Sequence, residues 1–324
     1  MDRRTFIGTT ASALVTGSAS KVLASVASNK LGPIGIQLYT VREAMKASVP
    51  KTLAAVAKAG YKEVEFAGYF GHSAADIRKM LDDVGLTAPS SHVQMSDLGD
   101  NWGSMLEYAR TVGHEYIVVA WIDADERTIP GYMKIAARFN AAATRAIDGG
   151  VKLGYHNYSF EFTPIDGQVP YDLLLRECDP QKVAMEIDVF WMKQGGGDPV
   201  HYMTQHPGRF PMLHVKDMGP PPKRAMMDVG KGTIDWKAIF RAGRMGGVRH
   251  VFVEHDETKD TAATMLNSYR YLRALCYEIK ADTAVYRRVR QLPASKPVTG
   301  KIEHDSGRTG TAVLTCHCFA RPYR

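Results

Sequence analysis

The residues of this sequence best suited to chemistry are two carboxylates and two histidines, each closing an apolar run: His156, Asp188, His214 and Glu254. In a barrel of parallel strands, side chains at the carboxyl ends of neighbouring strands converge near a common axis. Two carboxylates and two imidazoles suit Mn²⁺, Mg²⁺, Co²⁺ or Zn²⁺ and leave positions open for substrate oxygens. The set therefore predicts a divalent-metal site, although each residue alone would equally fit a loop cap or an ion pair.

Such a site needs a parallel sheet, and from Pro33 onward the chain alternates β-rich runs with helical stretches. The predicted strands are Ile34–Tyr39, Glu63–Ala67, Thr87–His92, Tyr116–Trp121, Lys152–His156, Val183–Val189, Met212–Lys216 and His250–Glu254. The helical segments between them are Val49–Ala59, Ala74–Val84, Met105–Val112, Tyr132–Ile147, Tyr171–Glu177, Val200–Gln205, Trp236–Arg244 and Ala262–Leu275. Gly60, Gly85 and Gly113 follow three of these helices as expected for left-handed caps. Eight strand–helix pairs predict an α/β fold, a single-domain (β/α)₈ TIM barrel over residues 31–276.

An open, doubly wound sheet is the competing architecture. It usually carries a glycine-rich phosphate loop after its first strand. Here the first strand runs into Thr40-Val41-Arg42, and no G-x-G-x-x-G follows any predicted strand. The sequence therefore favours the closed barrel.

The formal charge of +7 is concentrated at the two ends of the chain. Residues 1–30 hold four Lys/Arg against one Asp, and residues 277–324 hold nine against four acids, which leaves −1 for the middle. Binding to nucleic acid phosphates needs clustered Lys/Arg on the folded surface. The composition therefore predicts no nucleic-acid partner. No apolar stretch beyond the first 30 residues reaches the roughly 20 residues needed to cross a bilayer, so no membrane insertion is expected.

Residues 1–27 have the pattern of an export signal. The paired arginines Arg3 and Arg4 are followed by Phe6 and by an uncharged, small-residue stretch over residues 9–20. This resembles a twin-arginine signal, with cleavage after Ala24 or Ala27 and a periplasmic product. An ordinary secretory signal and an uncleaved tail are the alternatives.

Residues 277–324 fit no barrel unit and lack sustained periodicity. An arm for homo-oligomerisation, an irregular extension and an altered reading frame all remain open for this basic segment. The segment includes Cys316-His317-Cys318, but no second ligand pair stands at zinc-finger spacing. The four cysteines of the chain predict no disulfide framework.

The stretch from about Pro33 to Leu275 resembles the xylose-isomerase-like barrel group, often labelled sugar phosphate isomerase/epimerase. The most specific pieces are GIQLYT (35–40), GYHN (154–157), EIDVFW (186–191), LHVKD (213–217), GKGTIDW (230–236) and VE (253–254). In that family the sixth-strand aspartate, the seventh-strand histidine and the eighth-strand glutamate bind a divalent metal. The resemblance therefore implies a metal-dependent sugar isomerase or epimerase with Asp188, His214 and Glu254 as ligands.

The sequence departs from the family pattern at the fifth strand. Epimerases of the group place there a glutamate that binds metal and moves a proton, whereas this chain has His156. Glu161 follows shortly after and can swing back to serve instead. Trp191 stands where the epimerases tend to have a histidine. The fourth ligand is therefore open between His156 and Glu161.

The expected chemistry is proton abstraction beside a carbonyl of a free or glycosidic keto sugar, through an enediolate. Glu254 or Glu161 is the candidate base, and His156 or His92 the candidate acid. Lys216 would neutralise negative charge, or would form a structural ion pair. Reprotonation gives isomerisation or epimerisation, while loss of a β-substituent gives elimination from a 3-keto-glycoside.

Four further side chains are expected to contact the substrate: Glu65, Trp121, Trp191 and Tyr39. Trp121 offers a stacking face for a pyranose ring. Two other classes remain open, namely a metal-dependent phosphodiesterase or AP endonuclease on the same fold and a sugar-binding barrel without turnover.

Overall fold

Eight parallel strands pair into a closed barrel in the computed structural model, which describes residues 31–275. Each strand neighbours the next along the chain, and the last pairs with the first. The strands, here β1 to β8, are Gly35–Gln37, Glu63–Phe66, Thr87–Val93, Tyr116–Val119, Lys152–His156, Val183–Asp188, Met212–Val215 and His250–Val253. The predicted (β/α)₈ barrel is therefore confirmed. The predicted export signal and the C-terminal extension lie outside the described residues.

Ten α-helices surround these strands within residues 31–275. In chain order, α1 to α10 are Arg42–Ala47, Val49–Ala59, Ala74–Val84, Trp102–Val112, Ile129–Asp148, Pro170–Glu177, Val189–Gln194, Pro199–Gln205, Trp236–Gly246 and Thr261–Ala274. Helices α1 and α7 are additions to the sequence prediction. A two-stranded antiparallel hairpin, Asp217–Met218 with Met226–Met227, follows β7. Among the described residues, no helix is both long and apolar enough to cross a membrane.

The helix ends follow from local chemistry. Ser73 caps α3 by accepting a hydrogen bond from the backbone N–H of Asp76, which satisfies a free donor of the first turn. The same helix ends at Gly85, whose φ of 67° lies in the left-handed region that glycine adopts without steric cost. Gly60 and Gly113 also adopt left-handed conformations at helix ends. The three predicted glycine caps are therefore confirmed.

The lower part of the barrel interior is filled by apolar side chains. Tyr116, Val118, Met212 and Phe252 form a buried cluster separate from the main core. Gly35 leaves room for this cluster, since a Cβ on Gly35 would lie 2.5 Å from the Phe252 ring. The polar side chains lie nearer the carboxyl ends of the strands, above this floor.

Several strands end earlier than predicted. Strand β1 stops at Gln37 and continues as a 3-10 turn over Leu38–Val41. Strand β4 stops at Val119, which places Trp121 in the loop that follows. Strand β6 stops at Asp188, whose side chain caps α7 by accepting from the backbone N–H of Trp191. The face of the barrel at the carboxyl ends of the strands is therefore built partly from loops.

Candidate metal and substrate site

Three carboxyl-end residues on β6, β7 and the end of β8 form an upper group: Asp188, His214 and Glu254. Nδ1 of His214 lies 2.7 Å from Oε2 of Glu254 and 4.0 Å from Oδ2 of Asp188. In the register of the barrel, Asp188 and His214 are direct neighbours. Nε2 of His156 lies 3.9 Å from Oδ2 of Asp188. The structure therefore brings together all four residues that the sequence singled out.

A second set of possible ligands, the lower group, consists of His92, His156, Glu186 and His214. Oε2 of Glu186 lies 2.8 Å from Nε2 of His92 and 3.2 Å from Nδ1 of His156. Oε1 of Glu186 lies 3.3 Å from Nε2 of His214. Sequence reasoning missed Glu186, although its position gave a signal. Glu186 precedes Asp188 by two residues on the same strand, and alternate residues of a strand share one face.

Glu65 is placed differently from the prediction that it lines the substrate pocket. Its side chain is fully buried and accepts hydrogen bonds from Gln37 (2.8 Å), Ser90 (2.6 Å) and Nε2 of His214 (2.5 Å). It lies within β2 and points into the barrel below the strand ends. Glu65 therefore supports the site from beneath.

Lys216 contacts three carboxylates. Its Nζ lies 2.9 Å from Asp188, 2.8 Å from Glu254 and 2.9 Å from Asp256. Asp256, which sequence reasoning did not select, also accepts a hydrogen bond from the indole of Trp191 at 3.2 Å. Its position two residues after Glu254 was the available signal. Lys216 thus forms ion pairs with carboxylates at the ends of both β6 and β8.

Glu161 does not join either group. Its carboxylate accepts hydrogen bonds from the hydroxyl of Tyr155 and from the backbone N–H of Tyr158 at 3.0 Å. Tyr155 packs against Phe139 of α5, on the helix side of the strand. Because neighbouring residues of a strand point to opposite sides, His156 faces the barrel interior instead. In this structure Glu161 therefore lies apart from both groups, and His156 occupies the fifth-strand position beside Asp188.

Opposite charges in the site favour the ionised forms of His214, Glu254 and His92. Burial opposes the charge on His214, but the carboxylates of Glu186 and Glu254 raise its pKa well above the usual range. Burial likewise opposes the charge on Glu254, and Lys216 and His214 hold its pKa well below that range. Although burial acts against it, the Glu65 carboxylate raises the pKa of His92 to about 10.

The donor set fits a divalent cation. Five buried or half-buried carboxylates face a single lysine and three imidazoles: Glu65, Glu186, Asp188, Glu254 and Asp256. Three of their buried oxygens accept no hydrogen bond of good geometry: Oε1 of Glu186, Oδ2 of Asp188 and Oδ1 of Asp256. Their charged neighbours are Nε2 of His214, 3.3 Å from the first, and Nζ of Lys216, 2.9 Å from the other two. Carboxylate oxygen and imidazole nitrogen are ligands that Mn²⁺ and Zn²⁺ accept. A cation would satisfy these oxygens and reduce the excess negative charge.

A cavity of about 420 Å³ opens above the two groups. His92, His156, Glu254 and Asp256 form part of its wall. The remaining lining includes aromatic side chains, among them Tyr39, Trp121 and Tyr158. Trp191 lies behind this wall, with its ring 5.5 Å from that of Tyr158. Two of the predicted substrate contacts, Tyr39 and Trp121, therefore line the cavity, while Trp191 supports it.

Trp121 is 41% exposed, and its ring meets those of Tyr158 and Phe160 edge to face at 5.1 and 5.7 Å. The guanidinium of Arg127 stacks over the Phe160 ring at 3.6 Å. Flat apolar faces of this kind bind the C–H faces of sugar rings, and nearby polar groups bind the hydroxyls. The cavity wall thus combines aromatic with charged side chains.

Comparison with known proteins identifies related barrels. The profile of the xylose isomerase-like TIM barrel family matches residues 53–275. A sugar phosphate isomerase/epimerase from Parabacteroides distasonis has a similar crystal structure, with a TM-score of 0.66 and 27% identity over 75% of this chain and 98% of that one. The IOLI protein, solved with a bound zinc atom, shares the fold at 16% identity, with a TM-score of 0.59 over 76% of this chain and 100% of that one.

An inosose dehydratase from Geobacillus thermodenitrificans is 26% identical over an alignment of 157 positions, and the match covers 42% of this chain. The match covers 52% of the dehydratase, so this chain spans about half the length of that curated relative.

Proposed function

The chain belongs to the xylose isomerase-like TIM barrel family, and from that premise we propose that it is a divalent-metal-dependent enzyme that moves a proton beside a carbonyl of a keto sugar or of a cyclic polyol oxidised to a ketone. The observation that carries the proposal is the convergence of His156, Asp188, His214 and Glu254, of which His156 and Glu254 line an aromatic-walled cavity. A cation held by these residues would polarise the substrate carbonyl and stabilise the negative charge that develops on its oxygen.

The side chains of the site supply the remaining steps. Glu254 lines the cavity with a carboxylate that stays ionised, so it can take a proton from the carbon next to the carbonyl. His92 lines the same cavity and is the candidate to return a proton, because His156 is assigned to the cation. Lys216 offsets the negative charge that builds up between Asp188 and Glu254.

The aromatic wall orients the substrate. Trp121 can stack against one face of a pyranose ring while His92 and Glu254 of the same cavity face its carbonyl edge. This arrangement would accept free and glycosidic sugars alike, because Trp121 of the cavity wall is itself partly exposed to solvent.

Deuterium exchange tests the proposal directly. Metal-replete protein is incubated with keto sugars and 3-keto-glycosides in D₂O, and the products are read by NMR and mass spectrometry. We expect deuterium at the carbon beside the carbonyl, and a loss of about 10²–10⁴-fold in the exchange rate for Glu254→Gln, the range typical of a lost general base. Protein that binds metal but exchanges no C–H proton of any such substrate contradicts the proposal.

Elimination is the second candidate outcome, and the similarity to an inosose dehydratase favours it. The base would remove the same proton, the electron pair would form a C=C bond, and a β-hydroxyl or glycosidic oxygen would leave with a proton from the acid. Release of water or of the aglycone, together with an unsaturated ketone absorbing in the ultraviolet, separates elimination from epimerisation, in which the substrate formula is unchanged.

A further inference from the structure

Two buried glutamates below the candidate ligands have no role in the chemistry proposed above. Glu186 precedes Asp188 by two residues on β6, and Glu65 lies on β2. Both side chains are fully buried, and neither lines the cavity. A buried carboxylate is costly unless its partners are well placed. Their contacts therefore indicate what they do.

Glu65 fixes the ring of His214. Gln37 and Ser90 each donate a hydrogen bond to its carboxylate, which prevents it from turning. Its Oε2 lies 2.5 Å from Nε2 of His214. A carboxylate only accepts hydrogen bonds, so Nε2 of His214 carries a proton, and so does Nδ1, which lies 2.7 Å from Oε2 of Glu254. A cation at the upper group would displace the Nδ1 proton, because Nδ1 is the nitrogen turned towards Glu254 and Asp188, and would leave the proton that Glu65 holds on Nε2.

Glu186 acts on His156 in the same way. Its Oε2 lies 3.2 Å from Nδ1 of His156, which makes Nδ1 the protonated nitrogen. Nε2 of His156 is left facing Oδ2 of Asp188 at 3.9 Å. His92 joins the two glutamates, since its Nε2 lies 3.1 Å from Oε2 of Glu65 and 2.8 Å from Oε2 of Glu186. Its ring also stacks on that of His214, with a centroid distance of 5.3 Å.

We infer that Glu65 and Glu186 are positioning residues, which hold His214 and His156 in the tautomers and ring orientations that present Nδ1 and Nε2, respectively, to a cation at the upper group. His92 clamps the two glutamates together. The inference rests on the proposed metal-dependent function, because it assumes a cation between Asp188 and Glu254. Partners of this kind commonly contribute about 10–100-fold to metal affinity.

Cobalt binding tests the inference without requiring a substrate. The affinity of the full-length protein for Co²⁺ is measured by competition with a chelator, and the visible Co²⁺ spectrum reports the ligand geometry. The variants are Glu65→Leu and Glu186→Leu, which lack an acceptor, and Glu65→Gln and Glu186→Gln, which keep one. Glu63→Leu is the matched control, because Glu63 is also on β2 and pairs with a histidine, Nδ1 of His250, at 3.0 Å, outside the two groups.

We expect Co²⁺ to bind about 10–100-fold more weakly to the two leucine variants, with a changed spectrum and partial rescue by glutamine. Glu63→Leu should keep the wild-type affinity even where it lowers the melting temperature. Equal affinity in all three leucine variants would overturn the inference. It would also be overturned if both substitutions of Glu186 abolished binding while Asp188→Asn and Glu254→Gln retained it, because the cation would then lie in the lower group.

If the leucine variants do not fold, the ring nitrogens of the wild type decide the question. In ¹⁵N-histidine-labelled, Zn²⁺-loaded protein, His214 should show a protonated Nε2 and His156 a protonated Nδ1. The opposite tautomer in either ring contradicts the inference. Wild-type protein that binds no divalent cation would instead remove the metal-dependent function itself, so the two failures are distinguishable.

Discussion

The buried carboxylates in this barrel differ in the groups that surround them. Glu254 and Glu186 face lysine and histidine side chains, which favour the ionised form. Glu161 faces the hydroxyl of Tyr155 and the backbone N–H of Tyr158. Burial raises the pKa of Glu161 to about 7, because these hydrogen bonds only partly offset the loss of water. Glu161 therefore makes stability depend on pH independently of the metal site.

The sign of that dependence follows from proton binding. The folded state binds the Glu161 proton more tightly than the unfolded state, in which the pKa is near 4.5. The stabilisation by the protonated form is complete below pH 4.5 and is lost as pH rises to about 7, a change of about 3 kcal/mol. We expect Glu161→Gln to remove this part of the decline between pH 4.5 and 8, as measured by urea unfolding of metal-free protein.

Glu107→Gln, on the exposed surface of α4, is the control and should follow the wild-type profile. If Glu161→Gln also kept the wild-type decline, the carboxyl would not be the group that titrates.

At the scale of elements, the barrel floor depends on close contact between β1 and β8. A Cβ at Gly35 would lie 2.5 Å from Cδ1 of Phe252, an atom of a fully buried ring. The Phe252 ring in turn meets that of His214 edge to face at 5.9 Å. The absence of a side chain at Gly35 therefore sets the position of the floor on which the metal-ligand candidates rest.

We expect Gly35→Ala to destabilise the barrel by about 1–3 kcal/mol, the usual range for overpacking a core. Gly103→Ala is the matched control, because Gly103 lies in α4 and a Cβ added there would enter open space. This substitution should stabilise the protein by up to about 1 kcal/mol, because alanine lowers the entropy of the unfolded chain. Urea unfolding of both variants measures the difference. Equal stability of Gly35→Ala and wild type would show that Phe252 moves aside freely.

At the scale of the whole molecule, the barrel closes within residues 31–275, since its last strand pairs with its first. Both candidate ligand groups lie inside that closed unit. We therefore expect a chain lacking residues 276–324 to fold and to bind Co²⁺ as tightly as the full chain, measured by circular dichroism and chelator competition. Loss of folding on this truncation would show that the extension is part of the stable unit. Export through residues 1–27 stays a prediction.

The sequence by itself determined the architecture and the strand ends that carry chemistry. Alternation of apolar runs with amphipathic stretches is a local property, and closure of eight such units follows from the right-handed βαβ connection. The four residues His156, Asp188, His214 and Glu254 could be found because each is the polar residue that closes such a run.

Only the tertiary structure decided which polar groups lie at what depth. A shift of one residue in strand phase turns a side chain from the barrel interior to the helix side, and this separates His156 from Tyr155 and its partner Glu161. Depth depends on the stagger between strands, which places Glu65 of β2 and Glu186 of β6 beside the same imidazole of His214. These contacts join His214 to residues 149 and 28 positions earlier in the chain, so no local pattern encodes them.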